Sequence, residues 1–202
     1  VGFNRRFSPF LQKAKQLLGD ASTPINMIAT MNAGFIPKEV WVHDMSIGGG
    51  RIIGEACHFA DAMIFLTGSK IISVVMSALG SQPEENSDNV IITMKFANGS
   101  QGVINYFSNG SKAYSKERLE VFSQGRTLIL DNFRRMEGFG FKGFSRMRGR
   151  QDKGHKEQFA RLIKSIQKGG EALIPFNQLV NSTKATFAAI ESLKTGGWVN
   201  VE

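Results

Sequence analysis

Residues 24–34 alternate. Ile25, Met27, Ala29, Met31 and Ala33 fall on one side and Asn26, Ile28, Thr30 and Asn32 on the other. That period of two predicts a strand with one apolar and one polar face. The preceding pattern has a helical period. Ser8 is a cap, Pro9 fits the first helical position, Phe10, Leu11, Ala14, Leu17 and Leu18 form a stripe, and Gly19 stops it. The opening Val1, Gly2 and Phe3 read as the end of a strand. A connection over 35–47 and the triple glycine Gly48, Gly49 and Gly50 lead into a predicted helix over 51–66.

Strand signals dominate the middle of the chain. Residues 70–79 are apolar and β-branched, and 89–97 with 101–108 form a hairpin across Asn98-Gly99. Residues 118–122 and 127–130 make a second hairpin, and 133–141 a further strand. Two helices follow. One spans 154–168, with Phe159, Leu162, Ile163 and Ile166 on one side. The other spans 177–194, with Leu179, Val180, Phe187, Ile190 and Leu193 inside. Trp198 and Val199 suggest a short last strand. Hairpin-linked strands followed by paired helices predict an α+β domain, a large, mainly antiparallel or mixed sheet with helices on one face.

The 202 residues fit one domain spanning 1–202 and are enough to bury a core without staples. A single cysteine, Cys57, excludes an intramolecular disulfide framework and paired-cysteine metal clusters. No apolar run reaches the roughly 20 residues of a membrane span, and the first residues lack the apolar core of a signal peptide. A cytoplasmic protein without membrane contact is the expectation. The net charge is +8, and nearly all of the excess lies between Arg134 and Lys164, where ten Lys or Arg face three acids. Phe133, Phe139, Phe141 and Phe144 lie in that stretch. It reads as a solvated loop and strand pair with core-facing aromatics, as a patch for a small anion, or as a nucleic-acid segment. No nucleic-acid-binding motif supports the last, so nucleic acid is the least expected partner.

Residues 48–61 carry the chemistry. On an ideal helix from Arg51, steps of three and four place Arg51, Glu55, His58 and Asp61 on one stripe. An acid can fix an imidazole tautomer while the imidazole exchanges a proton with a substrate hydroxyl, which makes His58 the candidate catalytic residue and Glu55 and Asp61 its possible supports. A helix histidine is also commonly a satisfied structural residue. The three glycines would leave backbone N–H groups bare at a helix N-terminus, where a carbonyl or phosphate can bind. No metal site is expected, because His58 with Glu55 or Asp61 offers too few ligands and His43 lies in another segment. A dinucleotide fingerprint is missing as well.

The run Val1-Gly2-Phe3-Asn4-Arg5-Arg6-Phe7-Ser8-Pro9 and the triple glycine leading to His58 and Asp61 resemble the C-terminal domain of the glucose–fructose oxidoreductase/inositol dehydrogenase (Gfo/Idh/MocA) family. The resemblance covers essentially the whole order of elements. It implies an N-terminal Rossmann domain ahead of Val1, absent from this chain, that binds the cofactor NAD or NADP and carries a catalytic lysine. It implies a sugar, polyol or nucleotide-sugar substrate, with His58 as the proton-transfer histidine. The family often has an aspartate four residues before that histidine. Here that place is Gly54, with Glu55 one residue later. Arg5, Gly48, Gly49 and Gly50 would lie near the cofactor. Trp41, His43 and Asp44 lie where members place substrate contacts, and Tyr114 and Lys116 are candidates for hydroxyl or phosphate contact.

The reading that follows is the substrate-binding domain of an NAD(P)-dependent oxidoreductase, inactive as an isolated fragment. The alternative is a non-catalytic binding or scaffold module of the same fold, favoured by Gly54. Apolar residues on both faces of 89–97 predict a homo-oligomer formed through the sheet.

Overall fold

The computed structural model describes residues 2–19 and 23–202; Val1 lies outside them. The elements are α1 (Pro9–Leu18), β1 (Asn26–Asn32), α2 (Cys57–Thr67), β2 (Ile71–Ala78), β3 (Asn89–Phe96), β4 (Gln101–Phe107), β5 (Glu117–Ser123), β6 (Arg126–Asp131), β7 (Arg135–Phe139), β8 (Arg146–Arg148), α3 (His155–Gln167), α4 (Phe176–Thr195) and β9 (Val199–Asn200). Short 3₁₀ turns occupy Arg5–Phe7 and Trp41–His43, and a π-helical turn, Ile52–Ala56, runs directly into α2. The fold is α+β with one nine-stranded mixed sheet in the order β8-β7-β6-β5-β1-β4-β3-β2-β9. Among the described residues only β1 and β4 pair in parallel, with Met27 opposite Gly102; the other ladders are antiparallel. The chain leaves β1, crosses the sheet as α2, returns through β2 and β3 to lay β4 beside β1, and then adds β5 on the other side of β1. This crossover carries His58 over the sheet.

Helices α1, α2 and α4 cover one face, α2 packing on both α1 and α4. The predicted alternation in β1 holds, because Met27, Ala29 and Met31 are buried under the helices. Helix α2 is apolar nearly all round, which suits its place between the sheet and two helices. It lies so close to β4 that a Cβ at Gly102 would sit 2.6 Å from the Met63 sulfur. Ser8 caps α1 by accepting from the Phe10 amide.

The structure departs from the sequence reading, or adds to it, at four places. Gly2 and Phe3 form no strand; Phe3 packs with Phe7, Cys57 and Ile174 in a small satellite core. The stripe of α3 is exposed, with Phe159 61% and Ile166 71% accessible. Amphipathic periodicity identifies the helix but not what covers it. Phe187, expected inside, points outward; Ile190 is buried as expected, and Ala185, Ala188 and Ala189 beside it have small side chains that allow a close approach. The basic stretch contains the unforeseen strand β8, a three-residue edge flanked by Arg146 and Arg148, which discourages edge pairing. The strand-pair reading of that stretch holds for Phe133, which is buried, and for Phe141 and Phe144, which pack on the core, but not for Phe139, which is 54% exposed.

Beneath α2, Arg6 forms a fork with Asp61 through Nε and Nη2, and its Nη1 donates to Gln178 of α4. Asp61 is fully buried. Burial alone raises the Asp61 carboxyl, and the Arg6 hydrogen bonds oppose that rise. Asp61→Ala leaves a buried guanidinium unpaired and is expected to cost about 3–5 kcal/mol in urea unfolding, with a smaller loss in Asp61→Asn.

Candidate functional site

His58 sits one residue into α2, immediately after the π turn. The π turn adds a residue to the helical repeat, so the stripe expected of an ideal helix breaks there. Glu55 faces Arg51, accepting its Nε at 3.1 Å, and Asp61 faces Arg6. Neither hydrogen-bonds His58. The imidazole is half-buried and meets the edge of the Phe3 ring at 5.8 Å. Its Nδ1 is buried without a hydrogen-bond partner.

The structure places other charged groups around it. Arg5 forms a second fork, with Nε and Nη2 donating to Glu117 of β5 at 2.8 and 3.1 Å. Lys153 donates to the same carboxylate. Asn4 Nδ2 donates to the Lys153 carbonyl, and the Ser8 hydroxyl to the Asp152 carbonyl, which ties the entry of α3 to the amino end. Burial pushes the Glu117 carboxyl up, yet the Arg5 and Lys153 hydrogen bonds and charges carry it below its ordinary value. Burial and then the Arg5 charge push His58 down to about 4, with His155 and Lys153 adding to the effect and Glu117 opposing it. The ring is therefore neutral near pH 7. Burial raises the neighbouring Cys57 thiol to about 12, which leaves it inert. Sequence reasoning missed Glu117, Lys153 and His155, which reach His58 only through the pairing of β5 and the docking of α3. Glu117 carries no distinguishing local signal, since Arg118 and Glu120 stand beside it in the same strand.

The remaining candidates disperse. Trp41 is exposed, and His43, buried in the same 3₁₀ turn, lines a separate cavity of about 310 Å³ with Asp88 and Asn89. Asp44 turns back on the loop, accepting from the Ser46 amide and hydroxyl. Its carbonyl takes the amides of Gly48 and Gly49 at 2.8 and 3.0 Å. Those two N–H groups are thus not bare, contrary to expectation. A Cβ at Gly48 would lie 2.5 Å from the Trp41 carbonyl oxygen, so this glycine serves the tight fold of the loop. Gly50 packs against Met45. Arg51, buried at the head of the π turn, donates to Gly34, Asp88 and Glu55 and stacks over Tyr106. It fixes the end of β1 against the helix. Tyr114 and Lys116 line another hollow, with Asn32, Phe35 and Lys112, that does not include His58. Among the described residues no cluster of His, Cys, Asp and Glu could hold a metal ion, and no helix is long and apolar enough to cross a membrane.

These shifts set a pH dependence. The folded state holds His58 neutral down to about 4, whereas the unfolded chain protonates it near 6.5, so stability falls as pH drops through that window. Glu117, depressed in the fold, adds a loss as pH falls below its ordinary 4.5. His58→Asn is expected to flatten the slope between pH 6.5 and 4 in urea titrations, by about 1–3 kcal/mol, whereas Glu117→Gln removes the more acidic limb.

Comparison with known proteins places this geometry in a family. The profile of the GFO/IDH/MocA C-terminal domain matches residues 12–129, more than half of the chain. The uncharacterized oxidoreductase YrbE of Bacillus subtilis (strain 168) is 29% identical over 143 residues, covering 66% of this chain and 40% of its own length. An oxidoreductase domain protein from Kribbella flavida superposes with a TM-score of 0.83 at 20% identity, covering 100% of this chain and 65% of that one. An NAD binding oxidoreductase from Klebsiella pneumoniae gives 0.81 at 22% identity, covering 99% and 65%. Levoglucosan dehydrogenase, solved in complex with NADH and levoglucosan, gives 0.78 at 19% identity, covering 100% and 65%. The chain therefore spans less than two thirds of the length of these relatives. With the profile match and the shared fold, it belongs to the GFO/IDH/MocA C-terminal domain family.

Proposed function

We propose that this chain is the substrate-facing domain of an NAD(P)-dependent oxidoreductase acting on a sugar, polyol or nucleotide sugar, with His58 accepting the proton of a substrate hydroxyl. The observation that carries the reading is the neutral, half-buried His58 ring, whose Nδ1 has no hydrogen-bond partner among the described residues. A buried nitrogen of this kind is costly unless a ligand or water answers it. Relatives of the same fold include proteins described as an aldose-aldose oxidoreductase and a UDP-N-acetylglucosamine 3-dehydrogenase, which supports the substrate class.

The described residues offer no dinucleotide cradle. The Gly48 and Gly49 amides are taken by the Asp44 carbonyl, and the space a Cβ would need at Gly48 is already filled by backbone. We place the nicotinamide dinucleotide, which supplies the redox chemistry, on a Rossmann domain outside these residues. What this chain contributes is orientation and proton handling. The scaffold reading draws on one specific observation, that among the described residues no carboxylate hydrogen-bonds His58, Glu55 being held by Arg51.

The test uses the full gene product carrying these residues, followed at the nicotinamide absorbance with NAD⁺ and NADP⁺ over a panel of sugars, polyols and nucleotide sugars. Turnover that falls about 10²-fold or more in His58→Ala supports the reading. Dinucleotide binding without turnover on any substrate supports the scaffold.

The uncovered face of the sheet carries Ile28 on β1, Ile91 on β3 and Phe122 on β5, each 37–43% exposed. This half-apolar face is where a second copy would pack. Sedimentation of the gene product is expected to show a dimer or larger assembly at micromolar concentration. Replacing Ile91 and Ile28 with lysine is expected to shift it toward monomer.

A further inference from the structure

The charges around His58 do not balance. The elements packed against it bring Arg5 from the 3₁₀ turn, Glu117 from β5, Lys153 from the approach to α3 and His155 from the first residue of that helix. The acids on its own helical segment are engaged elsewhere, Glu55 with Arg51 and Asp61 with Arg6. Two cations, Arg5 and Lys153, thus share the single carboxylate of Glu117. One positive charge is left over in a cluster whose side chains are 8% (Arg5), 20% (Lys153) and 1% (Glu117) exposed. An uncompensated charge at that depth is unfavourable unless something answers it. Lys153 is the member nearest solvent. It gives one ammonium proton to Glu117, and the other two find no acceptor among the described residues. His155 stands exposed beside it, and the unpartnered Nδ1 of His58 belongs to the same cluster.

We propose that the ligand seated against His58 carries an anionic oxygen group, a carboxylate or a phosphate, which Lys153 binds with His155 at its side and which supplies the negative charge that the Arg5–Glu117–Lys153 cluster lacks. This deepens the functional reading above and rests on it only in taking His58 as the ligand-facing group. The chemical consequence is direct. Without the anion, His58 is a weak base, because burial and the surrounding cations disfavour its protonation. A bound anion cancels part of that field and makes the neutral imidazole a stronger base, so that it accepts a hydroxyl proton more effectively. The ligand thereby strengthens the base that acts on it. The basic stretch from Arg134 onward, which leads into Lys153, adds a long-range field that favours anion approach.

The experiment follows the His58 ring nitrogens in the full gene product, specifically labelled, by long-range proton–nitrogen NMR during pH titration, with turnover read on the same protein. The probes are inorganic phosphate, glucuronate, ADP and glucose, at ionic strength fixed with sodium chloride. An anion is expected to raise the His58 midpoint by about one pH unit, while glucose leaves it in place. Lys153→Gln is expected to weaken apparent anion affinity about tenfold. Lys153→Arg should hold most of it, and Arg150→Gln, at an exposed position elsewhere in the basic stretch, should change nothing. A response to glucuronate assigns the anion to the substrate. A response to ADP and phosphate alone assigns it to a phosphate-bearing ligand or to the dinucleotide. No response beyond that of chloride overturns the proposal, as does an Arg150→Gln loss equal to that of Lys153→Gln. Should Lys153→Gln fail to fold, unchanged anion binding in His155→Gln overturns it. Turnover of neutral sugars with no anion binding would fail this proposal and leave the oxidoreductase reading standing; anion binding without turnover does the reverse.

Discussion

Two consecutive arginines organise this domain. Arg5 and Arg6 leave the same 3₁₀ turn in different directions and each forks onto a buried carboxylate, Arg5 onto Glu117 of β5 and Arg6 onto Asp61 of α2. A buried guanidinium tolerates little rearrangement, because either member left alone carries a desolvated charge. The amino-terminal segment is thereby fixed at once to the sheet and to the helix that crosses it. Phe3, carried along by this anchoring, presses on His58 and closes one side of the candidate site. The site is thus a by-product of how the chain entry is clamped, and the same interaction that stabilises the fold sets the electrostatics of the imidazole.

The π turn has a comparable role. An ideal α-helix from Arg51 would have lined up Glu55, His58 and Asp61 as a relay. In the structure, with the wider turn at Ile52–Ala56, Glu55 pairs with Arg51, Asp61 pairs with Arg6, and His58 is left to face Phe3, Arg5 and Lys153. π turns inside helices are often found where a side chain must be aimed away from the regular repeat. His58 is such a side chain. Its environment is cationic, where the sequence pattern suggested an acidic one, and that reverses its expected protonation behaviour. Two carboxylates at hydrogen-bonding distance would have stabilised the imidazolium, whereas burial first, and then Arg5 and Lys153, destabilise it.

Much of the architecture was legible from local pattern. The period-two runs at 24–34, 89–97 and 101–108 and the Asn98-Gly99 turn correspond to β1, β3 and β4, and the Ser8-Pro9 start to α1. These signals are local, so neighbouring residues suffice to state them. The short edge strand β8 carried no such signal, since three residues show no period. The exposure of α3 and of Phe187 was equally out of reach, because a helical stripe says that one face is apolar and not what lies against it. The site divides in the same way. His58 stood out by its setting after three glycines. Glu117, Lys153 and His155 join it from segments about 60 to 100 residues away in sequence, a proximity set by strand order and helix docking. A triple glycine before a helix suits a ligand cradle and a tight loop equally well, so local pattern does not choose between them. The acceptance of two amides by the Asp44 carbonyl decides for the loop.

The central claim is that His58 faces a ligand and is not a core histidine satisfied within the fold. It is tested most directly by a crystal structure of the full gene product with a nicotinamide dinucleotide and a sugar that it binds. The account predicts a ligand oxygen at about 2.6–3.2 Å from a ring nitrogen of His58, with the dinucleotide held by residues outside this chain. A His58 ring closed off by protein side chains, with the sugar bound elsewhere, would contradict it.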